Sequence, residues 1–442
     1  MSRVNVIVVG AGFAGLSAAQ ALAAAGLSTL VLEAQGRVGG RVKGRLNALG
    51  EACDLGGQFL CDEMPALLDL VRAQAKRLAA PGRPGPDRGG EPPSPPGTAG
   101  KDPTAAAFER AQVLYRSLRD AADGREKAVE RAGERSLAAW VEGLSEPPAV
   151  AAALRSLLAC IFCGDLAEVR LWQAIDHGAR SPVGKNEMQY VVAEGLYKVA
   201  EDLAAAGPME IRMNSAVTQV DWDAGGVRVT AAGRTWQARE VILALPPPVV
   251  PKIGFAPPLP PAIAAALAAY RQGAVIKFLL RYEAPFWRRQ GRDGIRQWSE
   301  PLGLYVGDAS RDAAAPQLVG FLGGPEARRW HRRGPEAIRE AFQGCLESAF
   351  GADAAKPLTF DFECWVDEAW SGGGYSASIV KSGARNAEAL LRAGRPPLNF
   401  ASTEIAAVFP GYVEGALRAG RDVAAAVAAR LGAPDQPVPH LR

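Results

Sequence analysis

The feature that most constrains this chain is a glycine-rich turn at residues 10–15. An apolar run over residues 4–9 leads into Gly10, Gly12 and Gly15, and an Ala/Leu-rich stretch follows. In a strand–turn–helix unit, the first glycine permits a tight turn, the second lets backbone approach a pyrophosphate, and the third allows close helix–strand packing. The helix N-terminus then faces the phosphates with its free N–H groups and the positive end of its dipole. The spacing therefore predicts a dinucleotide-binding α/β fold.

An acidic residue and a second glycine turn narrow the choice of nucleotide. Glu33 ends the next predicted strand, where a carboxylate accepts hydrogen bonds from both ribose hydroxyls and disfavours a 2′-phosphate. Gly39, Gly40 and Arg41 follow, and they place two more close backbone approaches and a cation beside the same phosphates. A plain nicotinamide fingerprint lacks this second turn. NADP is therefore disfavoured as the bound nucleotide.

Two stretches near the end of the chain extend the pattern. Residues 398–404 read Leu-Asn-Phe-Ala-Ser-Thr-Glu, and residues 410–416 read Pro-Gly-Tyr-Val-Glu-Gly-Ala. Together with the two glycine turns, these stretches resemble the FAD-binding segments of the glutathione-reductase-like flavoproteins and, in particular, of the monoamine oxidase family. Further segments resemble that family in order and spacing: residues 239–247, 257–261, 273–278, 285–287 and 365–376. Residues from about 80 to 180 match little.

The resemblance implies an α/β fold in which a glutathione-reductase-like, FAD-binding Rossmann domain is interleaved with a mixed α+β substrate domain. We expect a discontinuous FAD-binding domain of residues 1–78, 190–262 and 368–432, and a substrate-binding domain of residues 79–189 and 263–367. Within the latter, residues 81–103 are rich in Pro and Gly and hold few large apolar side chains, which predicts a flexible loop. Residues 433–442 form a polar tail.

The resemblance also implies which residues hold FAD. They are Gly10, Gly12, Phe13, Ala14, Gly15, Glu33, Ala34, Gly40, Arg41, Gly57, Gln58, Val217, Trp365, Glu404, Tyr412 and Val413. Glu404 is expected at the end of a short strand, accepting from the flavin ribityl chain. A helix starting at Gly411–Val413 would favour negative charge on the reduced ring. Gly374 stands where mitochondrial monoamine oxidases carry the cysteine that is linked to the flavin, so we expect non-covalent FAD.

Three residues are predicted to be catalytic. Lys277 lies in the apolar run 274–280, where it is either the solvent-facing position of a strand or a buried, functional amine. Proteins of the resembled family place a lysine there, hydrogen-bonded through water to flavin N5, where it helps handle reduced flavin and oxygen. Tyr375 and Tyr412 match the two aromatic positions that flank the amine in front of the flavin. Such a pair accepts a flat apolar amine and polarises its lone pair.

The resemblance therefore implies an FAD-dependent amine oxidase. A hydride equivalent passes from the α-carbon of a neutral amine to flavin N5, and the imine hydrolyses to an aldehyde or ketone. Dioxygen then reoxidises the flavin to give hydrogen peroxide, with a protein electron acceptor as the alternative. The expected partner is a small-molecule amine, and a homodimer is left open.

Other functions stay open at this stage. L-Amino-acid oxidases of the same superfamily usually have an arginine just after the Gly-Gly turn, whereas residues 57–62 read Gly-Gln-Phe-Leu-Cys-Asp. Arg170 or Arg180 could substitute for it. A desaturase-like enzyme that oxidises C–C bonds is disfavoured by Lys277 and the two tyrosines. A non-catalytic flavoprotein would be expected to have lost these three residues.

Charge and composition argue against nucleic-acid binding, membrane association and a metal site. The net charge of +3 gives no electrostatic footprint for nucleic acid or for an anionic membrane. No run approaches about 18 apolar residues, and the first apolar run is already a strand of the nucleotide fold, so a cytoplasmic protein is expected. Cys160 and Cys163 have CxxC spacing in an apolar helical stretch without a second pair. Since the three histidines lie outside the matched motifs, no metal site is expected.

Overall fold

The computed structural model describes residues 3–81, 103–119, 124–181, 187–312 and 314–432. Helices and strands alternate along much of this length. The helices are α1 (Phe13–Ala24), α2 (Pro65–Ala73), α3 (Pro103–Arg119), α4 (Arg125–Ala132), α5 (Leu137–Glu142), α6 (Pro148–Phe162), α7 (Leu171–Arg180), α8 (Leu196–Ala205), α9 (Pro261–Leu267), α10 (Phe286–Arg289), α11 (Pro325–His331), α12 (Pro335–Phe350), α13 (Ala387–Ala393) and α14 (Val413–Leu431).

The strands form one large mixed sheet, one antiparallel sheet and smaller pairings. They are β1 (Arg3–Val9), β2 (Thr29–Leu32), β3 (Gly44–Leu46), β4 (Ala52–Asp54), β5 (Phe59–Leu60), β6 (Leu78–Ala79), β7 (Tyr190–Val192), β8 (Glu210–Arg212), β9 (Val217–Asp223), β10 (Gly226–Ala231), β11 (Arg234–Leu243), β12 (Gly254–Ala256), β13 (Tyr270–Gln272), β14 (Val275–Arg281), β15 (Arg296–Gln297), β16 (Leu304–Asp308), β17 (Gln317–Gly323), β18 (Thr359–Cys364), β19 (Ala377–Ile379) and β20 (Leu398–Phe400).

The large sheet has a parallel part built from distant segments of the chain. Strand β1 pairs in parallel with β2 and β11, β2 pairs with β8, and the end of β11 pairs with β20. The first half of β11 instead continues an antiparallel meander through β10 to β9. The central residues 6–9 and 241–243 are buried, as is usual for parallel strands covered on both faces. Strands from the two ends of the sequence, β1 and β20, thus pair with the same strand, β11.

The turn between β1 and α1 is as tightly packed as the glycine spacing predicts. A Cβ atom on Gly15 would lie 1.9 Å from the carbonyl oxygen of Gly10, and one on Gly420 of α14 would lie 2.2 Å from the carbonyl oxygen of Ala14. Gly10 itself has a φ of +100°, which disfavours any side chain there. Helix α1 is therefore held closely between the sheet and α14.

The second sheet is antiparallel in the order β15–β16–β17–β14–β18. Every residue of its inner strand β14 is buried. Phe278 points to one side, where its ring stacks on Phe342 of α12 with centroids 3.8 Å apart. Because side chains alternate along a strand, Lys277 and Leu279 point to the other side, toward the segment around Leu55. One strand therefore joins the core of this sheet to the glycine-rich part of the chain.

Helix α14 starts at Val413, as the closing motif predicts, and helices α3 to α7 lie within residues 103–180. Helix α2 ends at Ala73, because Ala75 adopts a left-handed φ of 52° and Lys76 N–H donates back to the Val71 carbonyl. Residues 82–102 of the predicted loop and the predicted tail 433–442 lie outside the described residues.

Among the helices of the described residues, none combines the length and the apolar character that crossing a membrane requires.

Candidate active site

A cavity of about 390 Å³ lies at the carboxyl ends of the parallel strands β1, β2 and β11. In open α/β sheets, this edge is where nucleotides bind. Thirteen of the predicted residues lie on its wall: Gly10, Gly12, Phe13, Ala14, Glu33, Ala34, Gly40, Arg41, Gly57, Val217, Tyr375, Tyr412 and Val413. Five others lie outside the wall: Gly15, Gln58, Lys277, Trp365 and Glu404. The wall also contains residues that the motifs did not single out, among them Lys252, Ser402 and Thr403.

The two glycine turns contact each other at one end of the cavity. Gly39 N–H donates to the Ala11 carbonyl at 2.8 Å, and a Cβ on Gly40 would lie 3.3 Å from the Gly12 Cα. Gly12 is the N-cap of α1, and no side chain caps that helix. The first N–H groups of α1 are therefore left for a ligand, and their positive dipole end favours an anion such as a phosphate.

Glu33 lies on the wall with both carboxylate oxygens oriented by the backbone. Its Oε2 accepts from Ala11 N–H at 2.7 Å, and its Oε1 accepts from Gln35 N–H at 2.8 Å. Burial raises the pKa of this carboxyl, and the backbone hydrogen bonds oppose that shift. Since each carboxylate oxygen accepts more than one hydrogen bond, both can still receive a hydroxyl.

Arg41 on the wall is paired with Glu404 behind it. The Arg41 guanidinium donates to Oε1 and Oε2 of Glu404 at 2.5 and 3.1 Å, and also to the Tyr375 carbonyl at 3.2 Å. Glu404 does not end a strand, as the sequence suggested, because β20 stops at Phe400 and Glu404 lies in a short 3-10 turn. The ion pair fixes the direction of the Arg41 cation, whereas the predicted contact of Glu404 with a ribityl chain stays a prediction.

Lys277 is buried, with 2% of its surface exposed, so the interpretation as a solvent-facing strand position is wrong. Its Nζ donates to the carbonyls of Asp54 and Gly56 at 2.6 and 2.7 Å and to Gln58 Oε1 at 2.7 Å. Burial lowers the pKa of this amine to about 7. The three oxygen atoms match the three N–H donors of the ammonium form. Because the pKa lies near neutrality, a small change in the surroundings of Lys277 can shift the protonation of its amine.

The second sheet holds the segment from Asp54 to Gln58 in place. Trp365 donates its indole N–H to the Leu55 carbonyl at 2.9 Å, next to the hydrogen bonds from Lys277. Gln58 is only 3% exposed, and its Nε2 has no hydrogen-bond partner among the described residues. Gln58 itself lies outside the wall, next to the wall residue Gly57, and its amide oxygen accepts from Lys277.

Tyr375 and Tyr412, here called the tyrosine pair, lie on the same wall but are held by different acceptors. The Tyr375 hydroxyl donates to the Cys160 carbonyl, and the Tyr412 hydroxyl donates to Glu187 Oε2 at 2.5 Å. Burial raises the pKa of both phenols well above the ordinary value. Both rings therefore stay neutral and keep the electron-rich faces that attract an amine.

Two residues beside the tyrosine pair were missed by the sequence analysis. His177 Nε2–H donates to the Pro410 carbonyl at 2.9 Å, and the His177 ring centroid lies 6.1 Å from that of Tyr412. Burial lowers its pKa to about 4, so the imidazole is neutral and its Nε2–H donates to Pro410. Glu187 is the other residue. Neither lies in a recognisable motif, because only the tertiary fold brings them to Tyr412.

The CxxC pair lies beside Tyr375 and shows no sign of metal chemistry. Cys163 Sγ donates to the Cys160 carbonyl at 3.3 Å, and burial raises the pKa of the Cys160 thiol to about 12. Within the described part of the chain, no cluster of three His, Cys, Asp or Glu side chains could hold a metal ion. These thiols are therefore neutral packing groups behind the tyrosine pair.

Comparisons with known proteins identify the class that this site defines. The model of the family of flavin-containing amine oxidoreductases matches residues 13–428, and the chain belongs to that family. A Mycobacterium tuberculosis relative that carries the name of a flavin-containing monoamine oxidase, AofH, is 30% identical over 452 residues, which cover 97% of each chain.

Two further matches describe the range of the family. The L-amino acid dehydrogenase of Synechocystis sp. is 26% identical and covers 96% of this chain and 95% of its own. The structure of cyclohexylamine oxidase from Brevibacterium oxydans IH-35A is 27% identical and superposes with a TM-score of 0.85, covering 98% of this chain and all of its own. The protein is thus a flavin-dependent amine oxidoreductase with FAD as its cofactor.

The residues around the cavity fit FAD. Gly10, Gly12 and Gly40 bring the backbone of both glycine turns to the wall, and Glu33 and Arg41 supply a hydroxyl acceptor and a cation on the same wall. One buried polar atom of a wall residue, Ser402 Oγ, has no partner among the described residues, and a polar cofactor would provide one.

Proposed function

We propose that the protein is an amine oxidase that binds FAD non-covalently and reduces dioxygen to hydrogen peroxide. The observation that carries this proposal is that the tyrosine pair shares one cavity wall with the glycine turns and Glu33. Amine-binding rings and cofactor-binding backbone therefore line the same space. The fold fits this function, since the parallel strands with the antiparallel meander support a glutathione-reductase-like Rossmann domain.

We further propose the discontinuous division inferred from the sequence. In it, residues 1–78, 190–262 and 368–432 bind FAD, and residues 79–189 and 263–367 bind substrate. The pairing of β1, β11 and β20 supports the first unit, because it joins strands from all three of its segments. The antiparallel sheet around β14 supports the second. Pairing of β13 with β19 links the two units near Tyr375.

In the proposed mechanism, the tyrosine pair binds the amine in its neutral form. The ring faces of Tyr375 and Tyr412 attract the nitrogen and orient its lone pair. The glycine turns, Glu33 and Arg41 would hold FAD, which would supply the two-electron acceptor for the hydride equivalent from the α-carbon. The C–H bond breaks as the C=N bond forms, and water converts the resulting iminium to a carbonyl compound and ammonia or a smaller amine. His177 is neutral and bonded to Pro410, so it supplies no strong base.

Lys277 is proposed to act on the oxidative half of the reaction. Its ammonium group is held by Asp54, Gly56 and Gln58 directly behind the wall residue Gly57. A buried positive charge at this position stabilises the negative charge that develops on dioxygen as it is reduced. Helix α14 starts at Val413 on the same wall, and its N-terminus favours negative charge on the reduced cofactor.

An L-amino-acid oxidase would need a cation for the substrate carboxylate, and the two arginines considered for this role are engaged elsewhere. Arg170 donates to the carbonyls of Val380 and Glu134. Arg180 forms buried ion pairs with Asp176 and Glu388. Neither lies on the cavity wall. An amine without a carboxylate is therefore the better substrate class.

We also propose a cytoplasmic location. All six cysteines are free, which suits a reducing compartment.

The test is peroxide release by the purified holoenzyme with a panel of primary, secondary and cyclic amines, and with the L-amino acids in parallel. The proposal expects peroxide with at least one amine and none with the amino acids. Peroxide with amino acids alone would overturn the choice of substrate class, and reduction of the enzyme without peroxide would point to a protein acceptor.

A further inference from the structure

Tyr375 lies in a stretch whose own sequence does little to fix its position. Residues 372–376, here called the Tyr375 segment, form neither helix nor strand, and three glycines precede the tyrosine. Gly372 has a φ of +76° and Gly373 a φ of +154°, and glycine has the widest backbone freedom of any residue. Since strand β19 begins only at Ala377, contacts with other parts of the chain must hold the Tyr375 segment in place.

The side chain of Gln272, the last residue of β13, bridges two carbonyls of this segment. Its Nε2 donates to the Gly374 carbonyl at 2.6 Å and to the Ser376 carbonyl at 3.2 Å. An amide NH2 group has two N–H donors, so both are used. With the amide turned over, its oxygen would face two carbonyl oxygens, and that repulsion fixes the orientation. Gln272 therefore holds the backbone on both sides of Tyr375.

Further hydrogen bonds complete the hold on the Tyr375 segment. Gly374 N–H donates to the Gly273 carbonyl at 2.8 Å, and Gly273 N–H donates to the Ser376 carbonyl at 2.7 Å. The carbonyl of Tyr375 itself accepts from Arg41 at 3.2 Å. The three carbonyls from Gly374 to Ser376 are therefore all bonded, two of them to the same side chain.

The other end of Tyr375 is fixed separately. Its hydroxyl donates to the Cys160 carbonyl, and the residue packs against the cluster of Cys163, Val275 and Trp365. With its hydroxyl end and its backbone both fixed, the rigid ring presents its face to the cavity in a single position. Ring placement matters for the reaction, because a misplacement of about 1 Å can lower a rate by about 100-fold.

Gln272 holds this segment at a cost to stability. It is 5% exposed, and its Oε1 has no hydrogen-bond partner among the described residues. A buried acceptor without a partner destabilises the folded state, and an apolar side chain would avoid this loss. What an apolar side chain lacks is the pair of N–H donors. We propose that Gln272 is a positioning residue for amine oxidation, fixing the Tyr375 segment so that the Tyr375 ring keeps its place on the cavity wall.

This inference rests on the proposed amine oxidase function, and two measurements on Gln272→Met separate them. Methionine is of similar length but donates no hydrogen bond. Amide hydrogen exchange needs no substrate: the N–H groups of Gly273 and Gly374 should exchange at least about threefold faster in the holoenzyme of the variant. Anaerobic stopped-flow then uses the panel amine that reduces the wild-type flavin fastest. The limiting rate constant should fall by about tenfold, and the rate of reoxidation by dioxygen should stay within about twofold.

A double-mutant cycle asks whether the kinetic loss passes through the tyrosine. Adding Gln272→Met to Tyr375→Ala should change the limiting rate constant by less than about twofold, because the ring that Gln272 positions is already absent. A merely structural role would give the same loss in both backgrounds. Gln272→Glu, which as a buried neutral acid offers one O–H donor, should lose less than Gln272→Met and serves if the latter binds no FAD.

Gln74 provides the matched control. Its Nε2 donates to the Val199 carbonyl at 3.1 Å, and its Oε1 also has no partner among the described residues. Gln74→Met thus removes the same kind of amide outside the Tyr375 segment and should change neither the exchange of Gly273 and Gly374 nor the reduction rate.

Unchanged exchange in Gln272→Met would overturn the proposal, as would faster exchange with a wild-type limiting rate constant. An undiminished loss in the Tyr375→Ala background would also overturn it, because Gln272 would then act by another route. If no amine reduces the wild-type flavin, the proposed function fails and the positioning role fails with it, a result that is seen before any substitution is made.

Discussion

Arg41 and Glu404 form a two-point ion pair across 363 residues of sequence. Glu404 is 5% exposed and lies behind the wall, while Arg41 lies on it. The pair therefore ties the glycine-rich beginning of the cofactor cavity to its C-terminal segment. Each side of the cavity is positioned by the other.

Replacing Glu404 with Gln should weaken FAD binding. The change leaves the Arg41 guanidinium without its charged partner, and about 1.5–3 kcal/mol of charge-assisted hydrogen bonding is lost. A rise of at least about tenfold in the FAD dissociation constant is expected, measured by titrating apoprotein with FAD and following flavin fluorescence. Glu363→Gln breaks the more exposed pair with Lys43 and should change the constant by less than about threefold. Equal effects would contradict the role given to Glu404.

Lys277→Met should leave FAD bound and slow flavin reoxidation by about tenfold or more, because the variant loses a buried positive charge. Stopped-flow mixing of reduced enzyme with dioxygen measures this rate. Lys76→Met, which removes a lysine paired with Asp202 on α8, is the control and should reoxidise normally. An unchanged rate in Lys277→Met would remove Lys277 from the oxidative reaction.

The pH dependence of reoxidation should report the same lysine. Burial lowers the Lys277 pKa from its ordinary value to about 7, so the ammonium form predominates below that pH and is lost above it. The reoxidation rate should therefore fall as the pH rises through about 7, and the profile of Lys277→Met should be flat there. The same lowering of the pKa affects folding. The unfolded chain, in which Lys277 has its ordinary pKa, binds the proton more tightly than the folded protein does. Lys277 therefore makes the folded state less stable below pH 7, and this loss of stability is relieved as the pH rises above 7. A profile that is the same in both proteins would refute the assignment.

Tyr412→Ala should lower the turnover of the best amine by about tenfold or more, whereas Tyr412→Phe, which keeps the ring, should lose less. Steady-state kinetics with FAD-saturated enzyme measures both. The control is Tyr282→Phe, just after β14, which removes the hydroxyl that donates to the Ala354 carbonyl. It should cost about 1 kcal/mol of stability and leave turnover within about twofold. Wild-type kinetics in Tyr412→Ala would reject the role of the tyrosine pair.

Gly374 packs closely against Val275, so a side chain at this position is disfavoured. A Cβ at this position would lie 2.5 Å from Val275 Cγ1. Gly374→Cys should therefore lower the stability by about 1–3 kcal/mol through overpacking, and Val275→Ala in the same chain should recover part of that loss. Thermal unfolding measures the stability.

The flavin link is tested on the wild-type protein by acid precipitation, which should leave yellow FAD in the supernatant. A yellow pellet would show a covalent bond and contradict the account of Gly374.

The backbone part of the site could be predicted because local sequence dictates it. The turn at Gly10 and the start of α14 at Val413 lie where the patterns place them. Glu404 was placed less well, since nothing in the sequence marks the end of β20 at Phe400 or the pairing with Arg41. Glu187 could not be foreseen, because its contact with Tyr412 depends on how separate segments pack.

The burial of Lys277 is another feature that depends on the whole fold and not on the local sequence. The apolar run around it allowed both an exposed and a buried side chain, and periodicity alone could not choose between them. The choice depends on β14 being the inner strand between β17 and β18, with a second core around Leu55 on its other face. That arrangement is a property of the whole fold.

The most direct test of the central claim is anaerobic mixing of the purified holoenzyme with an amine library, followed by admission of air. The account predicts that at least one amine bleaches the visible absorbance of the flavin, and that air restores the absorbance with one hydrogen peroxide formed per flavin. A flavin that stays oxidised with every amine, or that only L-amino acids bleach, would contradict it.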